Sequence, residues 1–127
     1  GQRRLRRRVR LLPAIKKGSA TPVRIQVKES RTYGEKEHSW HQVRQTKLGD
    51  ADVFVFVSYV PRIRGQKNVF NREFIVIPHT DLRRLCEKKK PSQGTYSFYF
   101  LKDGAKLIEI RDGYLDVSKY LAAWHLI

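Results

Sequence analysis

Residues 23–28 constrain the fold of this chain more than any other segment, because apolar and polar residues alternate along them without a break. In an extended strand successive side chains point to opposite faces, so the alternation predicts a half-buried β-strand. Its apolar members would enter a core, while Arg24, Gln26 and Lys28 would share the other face. That face sets an amide oxygen beside an ammonium, a pairing suited to metal-dependent hydrolysis of a phosphodiester.

Two further segments predict buried strands. Residues 53–57 and 74–77 are apolar at nearly every position and rich in β-branched and aromatic residues, as strands covered on both faces are. Pro78 would stop the second strand, and Asp103-Gly104 predicts a hairpin turn. We therefore predict an α/β (α+β) fold with a central mixed sheet of roughly five to six strands and a few short helices.

The helices are predicted from their ends. Thr80 is placed to cap a helix whose first turn holds Asp81 and whose end meets the lysines at 88–90, in agreement with the helix dipole. A last helix is predicted to begin at Asp116 or Ser118 and to run towards the end of the chain. The polar stretch 30–48 predicts a loop with a short strand at 40–43, and 61–68 predicts a basic loop.

The charge of the chain indicates its class of partner. Its 127 residues include 27 basic and 12 acidic ones, a net charge of +15, so we expect a polyanion as partner, namely nucleic acid and in particular duplex DNA. No long apolar helical face opposes the basic residues, which argues against a membrane surface. A single cysteine, Cys86, excludes an internal disulfide, and no secretory signal is evident, so an intracellular, cytoplasmic protein is expected.

The composition changes near Gly18, which divides the chain into residues 1–17 and a domain at 18–127. The first part is either a flexible basic arm or an edge strand at about 9–15, and Pro13, which lacks an amide donor, suits only an edge. Cations and exposed aromatic residues supply the candidate nucleic-acid contacts. These are Arg3, Arg4, Arg6, Arg7, Arg8, Arg10, Arg24, Arg31, Tyr33, Trp40, Arg62, Arg64 and Lys67.

For Trp40 and for several polar residues, a structural role competes with a functional one. Trp40 is placed either to stack on an exposed base or to plug the core beneath its loop. Asp50 and Asp52 suit turns at the start of a strand better than a metal site. The four histidines are scattered, and the pair His38 and His41 has no carboxylate or cysteine at ligand spacing, so we interpret them as surface or phosphate-contacting groups and assign no metal ligands.

The order of these segments resembles the PD-(D/E)XK nuclease superfamily, in its branch whose second motif reads Gln-x-Lys. The resemblance rests on residues 24–30, 52–57 and 74–78, and on the ending at 96–100 and 118–124. It implies a restriction-endonuclease-like sheet, with Gln26 as a ligand of Mg²⁺ and Lys28 as the catalytic lysine beside the attacking water. The acid of the first motif should lie on the preceding strand, where Arg10 aligns instead.

Three functions follow. The first is a DNA-binding domain on this scaffold with an incomplete metal site. The second is a Mg²⁺-dependent homing or restriction-type endonuclease, with Gln26 and Lys28 as catalytic residues and the missing acid supplied by an absent segment or a partner subunit, for which a homo-oligomer is expected. The third is a basic structural protein of an RNA–protein assembly, which the arginine run favours.

Overall fold

A mixed sheet organises the part of the chain that the structure, a computed structural model, describes: residues 10–15, 22–33, 37–65 and 67–127. Eight strands occur within these ranges. They are β1 Arg10–Ile15, β2 Pro22–Tyr33, β3 His38–Arg44, β4 Val53–Arg64, β5 Lys67–Pro78, β6 Thr95–Asp103, β7 Lys106–Glu109 and β8 Leu115–Asp116. The α+β class and the mixed sheet are confirmed, but the predicted number of strands was too low.

The strand order across the sheet is β5-β4-β2-β3-β6-β7-β8, and β1 also pairs with β2. β2 and β4 are parallel, whereas the other pairs are antiparallel. β2 joins the two parts of the sheet: its long middle section pairs with β4, but only Thr32 and Tyr33 pair with β3. β1 pairs with β2 alone among the described strands, and Pro13 lies at this edge opposite Arg24.

The stretch 30–48, predicted as a loop with a short strand at 40–43, contains the end of β2 and the whole of β3, so the predicted strand is confirmed but is longer than expected. Buried residues alternate along β3 as in any half-buried strand, but they include Ser39 and His41 beside Val43. A pattern based on apolar residues underestimates the extent of such a strand, because its inward side chains are polar and satisfy one another's hydrogen bonds.

The predicted basic loop at 61–68 is also wrong, since β4 continues to Arg64 and β5 begins at Lys67. Gly65 has φ 61° at the turn, a conformation that glycine adopts without the steric cost of a side chain. The ladder hydrogen bonds of the hairpin satisfy the backbone here, so the exposed cations do not prevent strand formation.

Helix α1, His79–Glu87, follows Pro78, which occupies the cap position predicted for Thr80. The Thr80 hydroxyl instead donates to the Asp81 carboxylate at 3.4 Å. The predicted last helix is replaced by two short 3-10 helices, Ser118–Tyr120 and Trp124–Leu126, because Ala122 between them has φ 49° and its N–H donates to the Phe74 carbonyl. No helix among the described residues has the length and apolar character needed to cross a membrane.

Apolar residues cover both faces of the sheet. On the inner face, aromatic residues of β4 and β6 pack against β5, helix α1 and the segment after β8, and each fully buried phenylalanine contributes roughly 1.5–3 kcal/mol. On the outer face, the first half of β2, with Ile25, packs with valines of β4 and β5 beneath the C-terminal residues Ala123, Leu126 and Ile127. The apolar residues of 23–28, namely Val23, Ile25 and Val27, thus lie in a core as predicted. This core covers the outer face of the sheet.

Candidate nucleic-acid interface

The predicted catalytic pair, Gln26 and Lys28, lies on the inner face of the sheet. Gln26 is 5% exposed, and Lys28 is half-buried. The Lys28 ammonium donates a hydrogen bond to the Gln42 carbonyl of β3. Because β2 and β3 pair only further along, this ammonium satisfies a carbonyl at the point where the two strands separate. The two side chains share a face as predicted, and Lys28 has a structural contact there.

The described residues do not fit a divalent cation at this position. No three of their His, Cys, Asp and Glu side chains lie together as a set of metal ligands. Glu29, next to Lys28, accepts a hydrogen bond from the Tyr59 hydroxyl at 3.0 Å. In the strand register, Leu11 is the partner of Gln26 and Arg10 is the partner of Val27. Hard cations require several oxygen ligands, so the family's metal chemistry is not supported here.

Asp52 forms hydrogen bonds that join the beginning of β2 to the beginning of β4, in agreement with the predicted structural role at the start of a strand. Its carboxylate accepts the Arg24 N–H at 2.8 Å, and its own N–H donates to the Arg24 carbonyl at 2.8 Å. The Arg24 backbone hydrogen bond is the largest cause of a pKa of Asp52 below its usual value, and it outweighs the opposing effect of burial. The Arg24 guanidinium lies 3.5 Å from the same carboxylate, so this predicted DNA contact is already paired.

A buried polar cluster lies beside Lys28, where the two parts of the sheet separate. The Ser58 hydroxyl donates to the Ser39 hydroxyl at 2.6 Å, and His41 Nε2 lies 3.1 Å from Ser39 and 3.3 Å from Ser58. His41 is fully buried, so its assignment to the surface was wrong. The cluster provides hydrogen bonds within the interior, where isolated polar groups would be costly.

A cleft that reaches this cluster is lined by two ion pairs. Arg62 on β4 lies 3.0 Å from Glu37, and Lys102 on β6 lies 3.4 Å from Glu73 on β5. The cleft has a volume of about 200 Å³ and reaches Ser58 at its base. Arg62, a predicted nucleic-acid contact, is thus exposed but ion-paired. Lys67, another predicted contact on the same hairpin, is exposed as well.

The outer face of β2 and β3 brings together three of the predicted nucleic-acid contacts. Tyr33 is opposite His38 in the register, and Trp40 follows two residues later on the same face. Tyr33 and Trp40 are 41% and 39% exposed. The Arg31 guanidinium lies 4.9 Å from the centre of the Tyr33 ring. Trp40 is therefore a surface residue, which decides against its alternative as a core plug.

Strand β6 extends this surface with residues that the sequence did not single out. Tyr99 lies opposite Trp40, with their ring centres 5.9 Å apart and edge to face. The His38 ring centre lies 5.0 Å from that of Tyr99, and the Arg111 guanidinium lies 6.0 Å from it. The alternation along 95–100 could have indicated an outward Tyr99, but only the pairing of β3 with β6 places it beside Trp40.

A buried ion pair holds Tyr99 and Arg111 in place. One carboxylate oxygen of Glu109 accepts both of their backbone N–H groups, each at 2.9 Å, and the other accepts the Lys89 ammonium. The Lys89 side chain is 5% exposed. The lysines at 88–90 therefore do not form one surface cluster. Burial would raise the pKa of Asp112, but its hydrogen bond from Lys89 and the nearby Arg111 lower that pKa overall.

A hollow lies over the outer face of β3 and β6. Its volume is about 640 Å³, it is open to solvent, and its lining is mainly polar. Its lining includes the side chains of Trp40, Gln42, Arg44, Gln93, Tyr99 and Arg111. We call this outer surface, with the hollow, the aromatic face. Its members are Arg31, Tyr33, His38, Trp40, Tyr99 and Arg111.

The remaining predicted contacts cannot be placed on a surface. Arg3, Arg4, Arg6, Arg7 and Arg8 lie outside the described residues. Arg10 and Arg64 are described as parts of β1 and β4 without their side chains. Comparisons of this chain with protein-family models, curated proteins and solved structures find no match.

Proposed function

We propose that this chain is a DNA-binding domain on a scaffold of PD-(D/E)XK type with an incomplete metal site. The observation that carries the proposal is the hairpin of β4 and β5. β2 pairs with β4 only as far as Tyr59, so within the described sheet the later part of β4 pairs with β5 alone. This part, residues 60–64 and 67–72, is called the ribbon below.

The ribbon has the charge and shape of a DNA-contacting element. Residues 60–72 contain four cations and no acid. Lys67 and Arg72 are exposed, and neither has an ion pair with an acid in the described ranges. A two-stranded ribbon has a width that the major groove of duplex DNA admits, and its cations would neutralise the flanking phosphates.

The second part of the proposal concerns chemistry. The order of β2, β4, β5 and α1, with Gln26 and Lys28 on β2, supports the scaffold suggested by the sequence. The Lys28 contact with the Gln42 carbonyl and the lack of clustered acids among the described residues support a site that does not hold Mg²⁺. Binding without hydrolysis is therefore the function that the geometry supports best.

The test measures duplex binding against salt by fluorescence anisotropy. We expect log affinity to fall linearly with log salt, with a slope of about −0.9 per phosphate neutralised. Lys67→Ala with Arg72→Ala should make the slope shallower by about two such contacts. The matched control is Lys88→Ala with Lys119→Ala, which removes the same charge from exposed positions away from the ribbon.

Two outcomes would contradict the proposal. Equal losses in the ribbon pair and the control pair would exclude the ribbon as the contact, and no duplex binding at about 50 mM salt would exclude duplex DNA as the partner. The same preparations are incubated with plasmid DNA and Mg²⁺ or Mn²⁺. Nicking that Lys28→Ala abolishes would show that the metal site is complete.

A further inference from the structure

We propose that the hollow on the aromatic face receives an unpaired base of DNA, stacked on Trp40, with its flanking phosphates on Arg44 and Arg111. This inference rests on the proposed function and names the state of the DNA that the aromatic face recognises. It concerns a surface on β3 and β6, distinct from the ribbon of β4 and β5.

Trp40 provides the stacking platform. It lies at the edge of the hollow, and more than a third of its surface is exposed. Tyr99 supports it edge-on from the neighbouring strand, at an interplanar angle of 81°. Tyr99 is itself fixed by the Glu109 carboxylate through its backbone N–H. An indole held in this way loses little conformational entropy when a base stacks on it.

The charges around the platform complement a phosphodiester strand. Arg44 is exposed on β3, two strand positions from Gln42, and no acid in the described ranges pairs with it. Arg111 is ion-paired with Asp112 at 2.8 Å, and its guanidinium remains at the rim of the hollow. Two cations beside one aromatic platform suit a strand whose phosphates flank each base.

The polar lining supplies hydrogen bonds for the edge of a base. Gln42 and Gln93 carry amides that donate and accept, and Ser97 adds a hydroxyl at the floor. Gln93 lies in a turn with φ 51°. Amides of this kind form hydrogen bonds with the Watson–Crick edge, which only an unpaired base presents.

The geometry favours a single strand over a duplex at this site. In a duplex the base faces are covered by neighbouring base pairs, so an aromatic side chain has no face on which to stack. Stacking of the aromatic ring on an unpaired base contributes to the binding affinity. This contribution is lost when the aromatic residue is replaced by alanine. The ribbon and the aromatic face should therefore respond differently to the strandedness of DNA.

The experiment compares Trp40→Ala with Trp124→Ala, which removes the other tryptophan, 48% exposed and packed on Phe74. Binding to labelled oligothymidylate of about 12 nucleotides and to a duplex of equal length is measured by anisotropy. We expect Trp40→Ala to weaken single-strand binding by roughly 5- to 100-fold and duplex binding by less than about twofold. Trp124→Ala should leave both unchanged.

A second readout guards against misfolding. Trp40→Phe should keep much of the single-strand affinity, and in a Trp124→Phe background the emission of Trp40 should be quenched by oligothymidylate. Equal losses of duplex and single-strand binding, or none, would overturn the inference while the proposed function stands. RNA of the same length bound as tightly as DNA, or more tightly, would overturn the assignment to DNA. Failure of the unaltered chain to bind either DNA would remove the proposed function as well.

Discussion

Asp52 shows how one carboxylate fixes the start of two parallel strands. β2 and β4 begin without a turn between them, because β3 intervenes in the chain. The backbone N–H and carbonyl of Arg24 would lack partners at this end, and Asp52 satisfies both through its side chain and its own N–H. Parallel strands need such local fastening, since no tight hairpin joins them.

Asp52→Asn should make the stability of the protein less sensitive to acid. The folded-state pKa of Asp52 is below its usual value, so its stabilisation is complete above about pH 3.9 and is lost as the pH falls through the lower folded-state value. Urea denaturation at about pH 6 and about pH 3 should show a smaller loss for the variant than for the unaltered chain.

Asp103→Asn is the matched control, because Asp103 is exposed at the end of β6, next to the turn before β7. It should leave the pH dependence of the free energy of unfolding close to that of the unaltered chain. An Asp52→Asn variant with the same acid sensitivity as the unaltered chain would show that the charge of Asp52 does not stabilise the β2–β4 pair.

At the scale of elements, the apolar strands were predicted more fully than the polar one. Residues 53–57 and 74–77 lie in β4 and β5, as their composition indicates. For β3, the strand predicted at 40–43 is confirmed, but its full extent and its partner were not predicted, because Ser39 and His41 face inward and β6 lies far along the chain. The same gap affected the site, since Trp40 and Tyr33 were identified from the sequence but Tyr99 and Arg111 were not.

The buried ion pair between Lys89, just after helix α1, and Glu109, at the end of β7, should make this region sensitive to mutation. Lys89→Met leaves the Glu109 charge buried without its ammonium partner, so we expect the free energy of unfolding to fall by about 3–5 kcal/mol. Chemical denaturation measures this loss. Lys88→Ala, at the exposed neighbouring position, should change the same free energy by less than about 0.5 kcal/mol.

A double variant separates charge burial from packing. Lys89→Met with Glu109→Gln removes both charges, and it should recover part of the stability lost in Lys89→Met alone, because no unpaired charge remains. A Lys89→Met variant as stable as the unaltered chain would show that the contact between Lys89 and Glu109 does not stabilise the folded protein.

At the scale of the molecule, Cys86 reports on the whole inner core. It is 3% exposed and packs in the cluster that joins helix α1 to β4, β5 and β6. Burial raises the pKa of its thiol to about 12, against the smaller opposing effects of Lys89 and Arg83. The thiolate is the reactive form of cysteine, so the burial of Cys86 and its raised pKa both protect this residue in the folded chain.

We therefore expect Cys86 to resist a disulfide reagent at about pH 8 until the domain unfolds. The rate of modification, followed by absorbance across a urea series, should track the unfolded fraction measured by circular dichroism. The chain in high urea should react completely, which serves as the control. Rapid reaction of the chain without urea would mean that helix α1 separates from the sheet far more readily than the remainder unfolds.

The pairing of β3 with β6 has a consequence for the order of folding. β4 and β5 are neighbours along the chain and form a local hairpin, whereas β3 and β6 pair residues as distant as Ser39 and Phe100. Contacts between distant segments form late, because a long loop must close first. The aromatic face spans β3 and β6, so it would be assembled only near the end of folding. A nascent or partly folded chain would then carry its cations without the proposed platform for bases.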